Sequence, residues 1–317
     1  MRTMKETNPV LAVAHADYAD DLVAIDEHAV AQCAPAGRLQ SMGATLPLDS
    51  HAARALAGIP YFIAMNSINF QFWDVAETGA FVRYRHAGLE GAMAMQQAFR
   101  QLWEEEAQRL THLPGAEHTK ALIDALPHRI LTEGEASIFG DIPAVNARTR
   151  VLFEVLSDSN RLYDVSAALY DALVFRGRLG WQDARLLARA FPLAYGDRYL
   201  KKAQLVLMFI AGQWSAHDSQ LVCRLDVTAA ADYQLPKILR AMGILRYAPE
   251  LAARVDCQQL IDAESREERA IRAATVLACE KLAARLQCTV PEVDFWLWVN
   301  RNHARDARFH LTRTTAY

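Results

Sequence analysis

Apolar positions fall at helical spacing along most of this chain and switch to alternation in one short region. From about Leu89 to Thr111, Gln96, Gln97, Arg100, Glu104 and Glu105 form a wet face beside apolar residues, which predicts a helix broken by Pro114-Gly115. A second long helix is expected after Ser265, which stands three residues ahead of Glu268 in an S-x-x-E capping box. Ile271, Ala274, Ala278 and Leu282 supply its inward stripe. The run Leu205 to Ala211 is apolar on all sides but too short to cross a bilayer, so it suits a central buried helix, with Asp197 as candidate N-cap. A shorter helix is expected from Ile25 to Cys33, followed by a link through Pro35 and Gly37 to Pro47. Proline is favoured in a first helical turn because the amide it lacks would be unpaired there. Ile238, Leu239, Met242, Ile244 and Leu245 therefore predict a helix starting near Pro236. The chain reads as mainly α.

Alternation enters at Phe70 and Phe72 and resumes at Phe81, Arg83 and Arg85 after Thr78-Gly79, which predicts a small β element, a hairpin, near residues 68–86. The segment Asn66 to Asp74 interleaves aromatics with asparagines and suits stacking on a flat base; an ordinary core strand has the same pattern.

Candidate chemistry centres on Asp232, one carboxylate directly ahead of the Pro236 helix in an apolar stretch. The positive end of a helix favours an anion, which suits a group that stabilises positive charge or activates water. Capping is the commoner use of an Asp in that position. Lys201 and Lys202 stand near the start of the buried helix, where the dipole disfavours cations unless an anion such as phosphate binds there; a solvated or ion-paired lysine pair is the alternative. Arg272 and Glu280 are two turns apart on one helix and fit a shared structural network. Asp294 and Trp298, at i and i+4, share a helix face and suit one side of a ligand or a core packing role. Arg301, His303 and Arg305 read as charged surface.

With 317 residues and 52% hydrophobic content the chain can bury a large core, as a single helical domain or two closely packed subdomains at about 1–115 and 116–317. A formal charge of -3 argues against a protein that grips polymeric nucleic acid through many phosphates; a mononucleotide fits better. The five cysteines form no C-x-x-C pair, and the ten histidines form no H-E-x-x-H, so reduced thiols and no metal site are expected. The start, with Lys5, Glu6 and Thr7 before Pro9, lacks the pattern of a secretory signal, and no membrane span is seen, so a cytoplasmic location is expected.

Taken together, the blocks Ser67 to Trp73, Lys201 to Gln204, Thr228 to Pro236 around Ala231-Asp232-Tyr233, and Glu268 to Ala273 followed by Glu280 resemble the queuosine salvage proteins. Val293 to Trp298 resembles that family's acidic-aromatic end, and the likeness runs from about Ile25 to Trp298. Gln71 stands where the family usually has Cys, and Lys202 where it commonly has Arg. The resemblance implies a fold similar to helix-hairpin-helix DNA glycosylases and hydrolysis of the N-glycosidic bond of queuosine 5'-phosphate, releasing queuine. It further implies Asp232 as the catalytic carboxylate, Asn69, Phe72, Trp73 and Tyr233 at the base, Lys201 and Lys202 on the 5'-phosphate, and Asp294 and Trp298 as further substrate contacts. No metal or organic cofactor is implied. A helix-hairpin-helix glycosylase or binder acting on nucleic acid, and a non-catalytic helical scaffold, are the rival readings.

Overall fold

The structure is a computed structural model describing residues 8–35, 37–42, 58–110, 112, 117, 120–125, 139–217 and 223–317. The expected features at Lys5 to Thr7, Pro47, Thr111 and Pro114-Gly115 lie outside the described residues. Among the described residues helices dominate, with four two-stranded sheets between them.

The amphipathic stretch folds as the helix Gly91–Arg109, burying Met95, Phe99, Leu102 and Trp103 while Arg100 pairs with Glu104 at 2.8 Å on the wet side. It joins a core built on the helices Gly58–Ser67 and Lys201–His217, which are apolar enough to sit at the centre; Phe62 and Phe209 stack between them at 5.6 Å. That core takes residues from both sides of position 115. Asp197 starts the Lys201–His217 helix: its Oδ1 accepts the Lys201 amide at 2.8 Å, while Leu200 turns the chain at φ 51°. Among the described residues no helix is long and apolar enough to cross a membrane.

A second core surrounds the helix Arg266–Leu286, whose Ile271, Ala274, Ala278 and Leu282 face inward as the stripe requires. Only half of the expected capping box forms. Ser265 accepts the Glu268 amide at 3.2 Å, but the Glu268 carboxylate turns inward to accept the Tyr317 hydroxyl at 2.9 Å.

Two expected helices are shorter than their apolar runs, and for linked reasons. Val23–Ile25 is a strand, followed by the helix Glu27–Gln32, whose Asp26 accepts the Ala29 amide at 2.9 Å. Its partner is Leu245–Tyr247, paired antiparallel with Ile25 opposite Leu245, so Ile244 and Leu245 leave the Gln234–Ala241 helix. Gly243 at φ 72° makes the break, a conformation only glycine adopts without strain.

The predicted β element is present as Trp73–Val75 paired with Phe81–Arg83, with Trp73 opposite Arg83 and Gly79 in the turn at φ 80°. Phe70 precedes the strand instead of alternating within it. Gln71 kinks the chain at φ 37°, and the Arg148 guanidinium gathers the carbonyls of Ile68, Phe70 and Gln71 on the inside of that kink.

Candidate active site

Four segments converge on one cavity of about 300 Å³. The kinked stretch supplies Asn69, Phe72 and Trp73; the start of the Lys201–His217 helix supplies Lys201; the loop before Gln234–Ala241 supplies Asp232 and Tyr233; the helix Val290–Val299 supplies Asp294 and Trp298. A volume of this size, walled by aromatic rings with charged groups set among them, suits a small polar molecule that carries a flat ring.

Asp232 caps its helix and faces the cavity at once. Its Oδ1 accepts the Gln234 amide at 2.7 Å and the Leu235 amide at 3.1 Å, so the helix begins at Gln234, two residues earlier than Pro236 suggests. Pro236 then falls within the first turn, where no amide is needed. Two amides at a helix N-terminus hold the carboxylate rigidly and leave Oδ2 for the cavity.

The loop carrying Asp232 is fixed from behind by Arg272, which is fully buried. Its Nε donates to the Ala231 carbonyl at 3.3 Å, its Nη2 to Asp197 Oδ2 at 2.8 Å, and Glu268 lies 3.7 Å from Nη1. One guanidinium thereby ties the Asp232 loop to the residue that starts the Lys201 helix. Burial opposes its charge, but Asp197 and Glu268 outweigh this and raise its pKa. Glu280 belongs elsewhere, accepting the Thr228 hydroxyl at 2.6 Å.

Asp294 is buried, and its Oδ2 accepts the Ala230 amide at 2.7 Å. Burial pushes its carboxyl up to about 7, with Asp232 adding to the rise and the amide and Lys201 opposing it. Lys201, 3% exposed, has its Nζ 3.4 Å from the Asn69 carbonyl; burial lowers its pKa while Asp232, Asp197 and Asp294 pull the other way. These three groups form a coupled acidic end of the cavity.

Lys202, expected beside Lys201 on a phosphate, lies away from the cavity. It is 1% exposed, donates from Nζ to the Ser67 carbonyl at 2.7 Å and sits 4.8 Å from the centre of the Phe70 ring. Successive helical residues point about 100° apart, so adjacent lysines cannot both face one wall. Arg301 also departs from expectation: it lines the cavity, with its guanidinium 3.8 Å from the centre of the Trp298 ring, whereas His303 and Arg305 stay exposed. Other lining residues not singled out as site residues include Arg83, Lys237, Phe309 and Tyr317. Phe309 and Tyr317 follow the last helix, where no periodicity draws attention to them, yet Phe309 packs on Tyr233 at 4.6 Å. Among the described residues no three His, Cys, Asp or Glu side chains gather to hold a metal ion.

A protein from Sphaerobacter thermophilus named queuosine 5'-phosphate N-glycosylase/hydrolase is 30% identical to this chain over 317 residues, covering 92% of each. The chain belongs to the queuosine salvage protein family. A family model described as queuosine salvage protein matches residues 195–317, which include Lys201, Asp232, Tyr233, Asp294 and Trp298. A Dictyostelium discoideum protein of the same name is 24% identical over 266 residues, covering 75% of this chain and 71% of its own. For this queuosine salvage family member the aromatic stretch lies outside the matched family region, and the fold brings it to the same cavity.

Proposed function

We propose that this chain hydrolyses the N-glycosidic bond of queuosine 5'-phosphate, giving queuine and ribose 5-phosphate, as a cytoplasmic enzyme acting on a free nucleotide. The observation that carries the reading is the position of Asp232: a carboxylate clamped by two helix amides, facing an aromatic-walled cavity beside a second, protonatable acid. The chain's membership of a family whose relatives bear that activity in their names supports it. All five cysteines are free thiols, as a reducing compartment favours.

Cleavage forms a bond from a water oxygen to C1' as the C1'–N bond breaks; the electron pair leaves with the base, and the proton the water releases ends on that nitrogen, so the products are the neutral base and the sugar hydroxyl. Positive charge develops on the sugar, so a fixed carboxylate beneath C1' lowers the barrier and orients the water, and Asp232 takes this role. A 7-deazapurine has no N7 to accept a proton, so the leaving base depends on hydrogen bonds from elsewhere. Asp294, which holds a proton up to about pH 7, is suited to donate one. Phe72, Trp73, Tyr233 and Trp298 enclose the flat base with Asn69 at its edge, and the Lys201 ammonium balances the Asp232 charge. A cavity of about 300 Å³ accommodates a mononucleotide, not a duplex. The decisive measurement is incubation of the purified chain with queuosine 5'-phosphate and detection of free queuine by mass spectrometry. Intact substrate after prolonged incubation with folded protein would overturn the assignment.

A further inference from the structure

The charges around the cavity are sorted by sign of environment. At the acidic end Lys201 is already claimed by Asp197, Asp232 and Asp294. A phosphate placed there would share its one cation with the Asp232 and Asp197 carboxylates. Elsewhere on the wall are three cations that no carboxylate among the described residues meets within hydrogen-bonding distance: Arg83 on the hairpin, Lys237 on the helix Gln234–Ala241, and Arg301 just past Val290–Val299.

Lys237 is 4% exposed, yet its Nζ bonds only the Arg301 carbonyl, at 3.3 Å, and no carboxylate among the described residues pairs with it. Arg301 donates from Nη1 to the Trp298 carbonyl at 2.9 Å and likewise has no carboxylate partner among the described residues. Arg83 reaches Glu90 only loosely, at 3.9 Å, and its side chain is 45% exposed at the rim. Burial and the two arginines push Lys237 down to about 8, against the pull of Asp232. A buried cation held beside two others is unfavourable in the empty protein. Three together are accounted for by an anion that arrives with the ligand.

We propose that Arg83, Lys237 and Arg301 form the subsite for the phosphate monoester of a nucleotide substrate, in place of Lys201 and Lys202. This rests on the nucleotide reading above. A phosphate monoester carries a charge of about -1.5 to -2 and several strong acceptor oxygens, matching one ammonium and two planar guanidinium groups. The placement suits a 5'-phosphate: Asp232, Arg83, Lys237 and Arg301 line the same cavity, so one bound nucleotide can present C1' to Asp232 and its phosphate to this wall.

The test measures equilibrium binding of ribose 5-phosphate, which needs no turnover, alongside kcat/KM for queuosine 5'-phosphate and for unphosphorylated queuosine. Lys237→Met, Arg301→Met and Arg83→Gln should each weaken ribose 5-phosphate binding by about tenfold or more, the worth of a charge-assisted hydrogen bond. Each should lower the nucleotide-to-nucleoside ratio of kcat/KM to a similar degree. If Lys237→Met fails to fold, Arg83→Gln at the exposed rim carries the same test. Unchanged ribose 5-phosphate affinity in the folded variants, or equal losses on both substrates, would overturn the subsite. Wild-type protein that binds ribose 5-phosphate through these residues but releases no queuine upholds the subsite and removes the proposed reaction; queuine release with unaltered selectivity in all variants does the reverse.

Discussion

Two buried arginines brace two walls of the cavity, and they do it under different electrostatic terms. Arg272 holds the Asp232 loop through the Ala231 carbonyl while facing Asp197 and Glu268. Arg148 holds the aromatic stretch through the carbonyls of Ile68, Phe70 and Gln71, with a further bond from Nε to the Pro143 carbonyl at 2.8 Å and the Phe70 ring 4.3 Å away. It has no carboxylate partner among the described residues, and burial brings its pKa down to about 9. One arginine neutralises acids that would otherwise be stranded; the other is a stranded charge solvated by carbonyl dipoles and rings. The acidic wall is therefore a charge network that fails if one member goes, while the aromatic wall is shape held by hydrogen bonds.

That contrast predicts unequal losses of stability. Arg272→Met leaves Asp197 and Glu268 buried without their cation and should destabilise the fold by about 3–5 kcal/mol. Arg148→Met leaves several carbonyls unpaired, at about 1–3 kcal/mol each, but removes a buried charge that has no counter-ion and itself costs several kcal/mol, so its net effect should be smaller. Denaturant melts of both variants decide it. Equal losses, or a larger one for Arg148→Met, would break the comparison.

The same contrast separates chemistry from shape. Asp232→Asn preserves the size of the cap and removes the negative charge, and turnover of queuosine 5'-phosphate should fall by about 10²–10³-fold, as when a preorganised stabilising group is lost. Queuine binding, which relies on the aromatic wall, should change little. Near-normal turnover by the folded variant would take Asp232 out of the reaction.

How much of this was legible before the fold was seen depends on whether the information was local. The Arg266–Leu286 stripe and the Gly91–Arg109 face were readable because burial follows a periodicity within one element. Asp232 was readable as a residue but not as a choice, since capping and facing the ligand looked like alternatives and one carboxylate has two oxygens. The end of the Gln234–Ala241 helix was hidden because Leu245 is apolar on account of its partner strand Val23–Ile25, more than two hundred residues upstream. Arg83, Lys237 and Arg301 were invisible as a group for the same reason. Each belongs to a different element, and a lone cation in a sequence reads as surface.

Within the acidic wall, Asp294 offers the finest test of the charge network. Its folded pKa of about 7 lies above the ordinary 3.8, so between those values the folded protein keeps a proton that the unfolded chain has released. Asp294 therefore favours the fold less as pH rises from about 4 to about 7. Its role as a donor to the base carries the same sign: kcat/KM should be highest below pH 7, fall about twofold between pH 6 and 7, and fall about tenfold by pH 8 as the proton is lost. Asp294→Asn cannot titrate, so its residual activity should lack that limb while the rest of the profile persists. A falling limb that survives unchanged in Asp294→Asn would assign the titration to another group and leave Asp294 as a bracket for the Ala230 amide.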